Sequence, residues 1–200
     1  MYLLAEHEGR VLPYHLQEAG HLPLALLFNH STTSISVLPK QILLSMTSHI
    51  NPLDYYLLPE EYDSEPRHLH RLTSFSAKHI DGRLDSQQGE EFWFEGDEGI
   101  QVMGWINRPP GFKEGQEKKW PMAFLIHGGP QGAWEDAWST RWNPALFAAQ
   151  GYVVIAINPT GSTGYGQEFS DRIQGNWGSR QSLNNQDDVK ADHQAHTKTW

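Results

Sequence analysis

The apolar positions fall into two regimes, and the change between them comes near residue 80. From Met1 to about Thr73, short runs recur at intervals of roughly ten residues with polar, Gly or Pro punctuation: Tyr2–Ala5, Arg10–Leu16, Leu24–Phe28, Ile35–Leu38, Ile42–Met46 and Asp54–Leu58. That spacing predicts an all-β region of the sandwich or propeller kind. Propeller blades repeat about every 40–50 residues, so this stretch would supply about one and a half blades. Because Met1 stands directly ahead of an apolar run, the expectation is that the start is a truncation and that most of the propeller lies elsewhere.

A polar connector follows, and then the pattern changes. Glu91–Glu95 and Ile100–Asn107 flank Gly96-Asp97-Glu98-Gly99 as two strands of a hairpin-like pair, ended by Arg108-Pro109-Pro110-Gly111. Met122–Ile126 and Tyr152–Ile157 are apolar runs without alternation, which predicts strands buried on both faces of a helix-covered sheet. Between them Asn143 and Pro144 announce a helix through Gln150, with Gly151 at its stop. Strand, helix and strand at this spacing predict a right-handed parallel crossover. Gln167–Trp177 reads as a short helix. The uncharged run Met122–Ile126, if left at a sheet edge, is a template for pairing with other chains.

The loops at the carboxyl ends of these two strands are where ligands collect in open α/β sheets. The first is His127-Gly128-Gly129-Pro130 and continues to Trp134. The second is Asn158 to Gly166, with Gly161, Ser162, Gly164 and Tyr165 inside it. Paired glycines let backbone N–H groups approach a substrate oxygen closely. In α/β-hydrolases an HG-type motif after the third strand supplies one oxyanion-hole donor. The peptide N–H of Gly128 or Gly129 is the candidate donor, both remaining open; His127 and Pro130 are candidate supports of that loop.

Composition narrows the function classes. The net charge of −9 argues against a nucleic-acid partner. No run approaches the roughly 18 apolar residues of a membrane span, and the N-terminus lacks the basic region of a signal peptide. With no cysteine, neither disulfides nor thiolate metal sites are available. His193 and His196 with Asp187, Asp188 and Asp192 match no ligand template, so no metal and no cofactor is expected. GSTGYG lacks the G-K-[ST] of a phosphate loop. His68 and His70 read as exposed strand positions, and Glu60, Glu61, Asp63 and Glu65 as a solvated loop.

The stretches EEFWFEG, GWINRPPGF, FLIHGGPQGAW, RWNP with FAAQGYVV, and NPTGSTGYGQEF with GNWG resemble the prolyl oligopeptidase family of serine peptidases, in particular its fungal dipeptidyl-peptidase V branch. The resemblance runs from about Leu72 to Gly178 and more loosely back to Met1. It implies the last blade or blades of a β-propeller over residues 1–75 and a linker over 76–91. It further implies the N-terminal part of an α/β-hydrolase domain, a doubly wound and mostly parallel sheet, over 92–178. Residues 179–200 diverge from the family and hold few large apolar side chains, so a disordered tail is expected there. The implied chemistry is hydrolysis of peptides by a Ser-Asp-His triad, with release of N-terminal dipeptides, in a secreted protein.

The family's nucleophile sits on a G-x-S-x-G elbow, and no such motif occurs in these 200 residues. Its nearest approach is Thr160-Gly161-Ser162-Thr163-Gly164, where Thr160 stands in place of the first glycine. None of the triad is therefore assigned, and the chain alone is expected to be inactive, its partners being peptide substrates, a missing propeller and a missing C-terminal hydrolase half. Two other readings stay open: a hydrolase of esters or acylated amino acids, since the scaffold does not fix the substrate, and a non-catalytic interaction remnant.

Overall fold

The computed structural model describes residues 1–59, 69–76, 79–80, 83–84, 87–129 and 131–175. Pro130 and the segment 176–200, including the expected tail and its histidines, lie outside the described residues, as do His68 and the acidic run 60–65. The chain divides into two compact units, Met1–Asp85 with Glu135–Trp142, and Ser86–Trp134 with Asn143–Trp200.

The first unit is built from two antiparallel sheets. β1 (Tyr2–His7), β2 (Arg10–His15) and the two-residue β3 (Leu24–Ala25) form one, in that order. β4 (Ser31–Leu38), β5 (Gln41–Thr47), β6 (Asp54–Pro59) and β7 (His70–Arg71) form the other, again in sequence order. Every expected run here becomes strand, with one reduction: Leu24–Phe28 pairs only at its first two residues. Leu26 and Leu27 instead fill the core with Ile42, Leu44, Met46 and Leu58. His70 is exposed on β7, as its alternating position suggested. The strands account for one four-stranded and one three-stranded sheet, and no closed ring of blades is present among the described residues.

Segment 135–142 lies in the chain between Trp134 and Asn143 of the second unit, yet folds with the first. Its anchor is Asp136, whose buried carboxylate accepts the His49 N–H at 2.9 Å and holds His30 Nδ1 at 2.9 Å. The Glu135 carbonyl meets His49 Nε2 at 2.9 Å, and the Trp138 N–H donates to Thr47 Oγ1 at 2.9 Å.

The second unit holds β8 (Glu90–Glu95), β9 (Gln101–Asn107), β10 (Met122–Leu125) and β11 (Val153–Asn158) in the order β10-β11-β9-β8. α1 (Pro144–Ala149) starts as its sequence demands: Asn143 Oδ1 accepts the Ala145 N–H at 2.9 Å, and Pro144 occupies the first turn. α2 (Gln167–Asp171) is a single turn and a half. β10 and β11 pair in parallel, as the crossover requires, but β11–β9 and β9–β8 are antiparallel. The expectation of a mostly parallel sheet is thus corrected for the described strands, because a hairpin-connected pair enters the sheet beside β11.

Burial differs between the two apolar runs. Every residue of β11 is buried, between Met103 and Trp105 on one face and Ile106 on the other. β10 is an edge strand, with Met122 41% and Ile126 58% exposed. The reading of Met122–Ile126 as buried on both faces is corrected: a run of apolar residues records the environment it suits, while sheet order decides whether a neighbour covers it.

Candidate active-site loops

Two loops leave the carboxyl ends of the parallel pair β10 and β11, so the sheet itself brings them together. Their contacts begin at His127, the second residue past β10. Its Nδ1 lies 2.9 Å from the Gly128 carbonyl and its Nε2 lies 3.0 Å from Ser162 Oγ. A carbonyl only accepts, so the ring carries a proton on Nδ1, and the single hydrogen of the Ser162 hydroxyl goes to the Pro159 carbonyl. The Pro159 carbonyl, 2.7 Å from that hydroxyl, also takes the Ser162 backbone N–H at 3.0 Å. Burial pushes the His127 pKa below its ordinary value, against the opposing effect of the Gly128 carbonyl.

This ring fixes a peptide plane. The carbonyl of Gly128 and the N–H of Gly129 belong to one trans peptide and point in opposite directions. Pinning the carbonyl on the imidazole therefore aims the Gly129 N–H away from it. Gly129 is exposed, and its N–H has no hydrogen-bond partner among the described residues. The conformation needs glycine: φ is +142°, and a Cβ would lie 2.7 Å from the backbone N of Gln131. Gly128 has open space around it.

The second loop supplies the walls. Thr163 N–H donates to the Gly132 carbonyl at 3.1 Å, and Ser170 Oγ donates to the Ser162 carbonyl at 2.8 Å. Asn158, fully buried at the end of β11, accepts the Trp134 N–H at 2.6 Å and donates to the Trp134 carbonyl at 3.0 Å and to Tyr165 Oη at 2.7 Å. Tyr165 packs on Phe169 and edge-on to Trp93. Gly161 has φ +104° and sits against Ile173; Gly164 and Gly166 also take positive φ.

The structure thus brings His127, Gly128 and Gly129 together with Asn158, Gly161, Ser162 and Tyr165. Ser162 is completely buried, its oxygen held between a carbonyl and an imidazole, so it is not presented to solvent. Gly132, Trp134 and Ser170 had no assigned role in the sequence reading; the only signal was their place within HGGPQGAW and NPTGSTGYGQEF. No group of three potential metal ligands occurs among the described residues.

Solved structures that share this fold include peptidases. The Pyrococcus horikoshii acylaminoacyl peptidase superposes with a TM-score of 0.79 at 21% identity, over 100% of this chain and 30% of that one. A Mycobacterium tuberculosis puromycin-hydrolyzing peptidase gives 0.72 at 18% identity, over 97% of this chain and 30% of its own. Sequence narrows the class. Dipeptidyl-peptidase 5 of Schizosaccharomyces pombe is 40% identical over 182 residues, 90% of this chain and 25% of that protein. A probable dipeptidyl-peptidase 5 of Emericella nidulans is 54% identical over 106 residues, 52% of this chain and 14% of that protein. Residues 138–191 match the prolyl oligopeptidase family. The chain is similar to members of that family, and it spans a quarter or less of the length of these two relatives.

Proposed function

We propose that this chain carries the oxyanion loop of a serine peptidase that releases dipeptides from N-termini, with the Gly129 N–H as a donor to the tetrahedral oxyanion. The first unit, in this reading, is propeller sequence, and the second is the N-terminal part of the hydrolase sheet. The observation that carries the proposal is the pinned Gly128–Gly129 peptide: its carbonyl is engaged by His127 and its N–H is unengaged at the carboxyl end of β10. Such preorganised donors stabilise the negative charge that develops when a serine attacks a scissile carbonyl. The reading favours Gly129 over Gly128 as the donor, a choice that glycine spacing leaves open. Similarity to dipeptidyl-peptidase 5 supports the substrate class.

The nucleophile would come from sequence with a G-x-S-x-G elbow, which these 200 residues lack. The test is therefore a chimera in which this chain replaces the matching 182 residues of the fission yeast relative, assayed on dipeptidyl anilides. Gly129→Ala keeps an N–H, but at φ +142° with a Cβ 2.7 Å from the Gln131 backbone N it must swing that peptide away, and it is expected to lower kcat by about 10²–10³, the usual cost of losing one oxyanion donor. Gly128→Ala, with open space around it, is expected to stay near the parent. Equal kcat for both variants and the parent would refute the assignment. The acylaminoacyl peptidase likeness favours a second reading, cleavage of N-acylated residues; preference of the parent chimera for N-acyl over free-amine dipeptidyl substrates would establish it instead.

A further inference from the structure

The two ends of the candidate oxyanion loop are held differently. At the start, His127 reaches across to Ser162 through a side chain whose hydrogen bonds depend on its tautomer. At the far end, Trp134 is held through its backbone. Asn158 Oδ1 accepts the Trp134 N–H and Asn158 Nδ2 donates to the Trp134 carbonyl, so one planar amide engages both polar groups of one residue. This two-point contact resembles one step of a β-ladder, with a side chain standing in for a neighbouring strand. The second Nδ2 hydrogen goes to Tyr165 Oη, so the amide is fully used on its donor side.

Trp134 has no polar group left over. Its carbonyl also accepts from Trp105 Nε1 at 3.0 Å, and its own Nε1 donates to the Leu125 carbonyl, at the last residue of β10, at 3.2 Å. The residue therefore ties the loop back to the strand from which it departs. Asn158 itself is the last residue of the fully buried β11, whose side chains pack with Ile106 on one face and with Met103 and Trp105 on the other.

We infer that Asn158 is a positioning residue for the proposed reaction: its amide clamps Trp134 and thereby closes the Gly128–Trp134 loop in the conformation that presents the Gly129 N–H. This inference rests on the oxyanion reading above. Between the His127–Ser162 contact and the Asn158–Trp134 clamp only seven peptide units intervene, with a further tie from Thr163 N–H to the Gly132 carbonyl. A loop held at three points by one rigid neighbour has little freedom to reorient a peptide plane between them. The second loop acts as the mould of the first, and its Asn158 side chain grips both backbone polar groups of Trp134.

Two substitutions separate the clamp from its surroundings. Asn158→Ala removes both contacts to Trp134, whereas Tyr165→Phe removes a hydroxyl beyond the amide and leaves the clamp intact. Backbone amide exchange in the 200-residue chain supplies a readout independent of activity. In Asn158→Ala, exchange at Trp134, and at Thr163 whose N–H is held by the Gly132 carbonyl, is expected to rise about tenfold or more, while Ile155 on β11 changes less than threefold. Tyr165→Phe is expected to leave all of them within threefold. In the chimera, Asn158→Ala should lower kcat at least tenfold with KM within threefold, because the clamp serves the transition state and not substrate capture. Unchanged loop exchange, or an equal rise at Ile155, would overturn the inference. So would a loosened loop with unchanged kcat. The donor reading is tested separately by the Gly128→Ala and Gly129→Ala pair, which leaves Asn158 in place.

Discussion

Gly161→Ala offers a quantitative test of how the second loop is held. Two costs add at this position. The residue has φ +104°, where an L side chain is strained by about 1–2 kcal/mol. An added Cβ would also stand 2.9 Å from Ile173 Cβ and 3.2 Å from both Cγ atoms, in a region where Ile173 is 1% exposed. Overpacking of this kind costs about 1–3 kcal/mol. The stiffer unfolded chain returns about 0.4–1 kcal/mol, leaving a net loss of about 1–5 kcal/mol, centred near 3.

Gly115 provides the control, since it too has positive φ (+74°) but meets nothing within 4 Å. Gly115→Ala should therefore show only the backbone cost, about 1 kcal/mol after the same offset. Urea unfolding followed by tryptophan fluorescence measures both. In Gly161→Ala, trimming Ile173 to Ala should recover part of the loss, giving a coupling of about 1 kcal/mol or more in a double-mutant cycle. Equal losses for Gly161→Ala and Gly115→Ala, or a cycle with zero coupling, would refute the packing account.

Two further expectations concern the first unit. Asp54 is fully buried and accepts from Arg71 Nη2, Thr73 Oγ1 and the Phe75 N–H. Burial pushes its carboxyl upward, yet these donors together outweigh it and hold the pKa below the ordinary value. Its stabilisation is present at neutral pH and is lost as pH falls through that depressed pKa; Asp54→Ala should cost about 2–3 kcal/mol in urea unfolding at pH 7 and much less near pH 2. Glu135 behaves oppositely: burial, with a smaller contribution from Glu6, pushes its pKa up to about 7. The seated segment holds a proton that the released one gives up, so seating weakens as pH rises from about 4.5 through 7, by at most about 3 kcal/mol. Exchange at the Trp138 amide, corrected for intrinsic rates, should quicken over that range, and Glu135→Gln should abolish the dependence.

The elements most legible in the sequence were those whose pattern is local. Asn143-Pro144 marked the start of α1 because capping and a missing N–H act within one turn. The six runs of the first unit became strands because alternation and punctuation suffice for antiparallel neighbours. Burial of β10 was misread because its exposure depends on sheet order, which no single run encodes. In the candidate site, HGG and GSTGYG were visible as glycine-rich strand exits. The His127–Ser162 contact and the Asn158–Trp134 clamp were not, since each joins residues 24 to 35 positions apart through side chains. The anchoring of 135–142 by Asp136, His30 and His49 was hidden for the same reason, its partners lying 87 and 106 positions away.

The central claim is that this chain carries an oxyanion loop and no serine nucleophile, Ser162 being a structural contact of His127. Incubation of the 200-residue chain with a fluorophosphonate probe, followed by mass spectrometry of its peptides, addresses it directly. The account predicts no adduct on Ser162, and labelling only in the chimera, at a serine contributed by the fission yeast relative. A covalent adduct on Ser162 in the chain alone, abolished by Ser162→Ala, would contradict it.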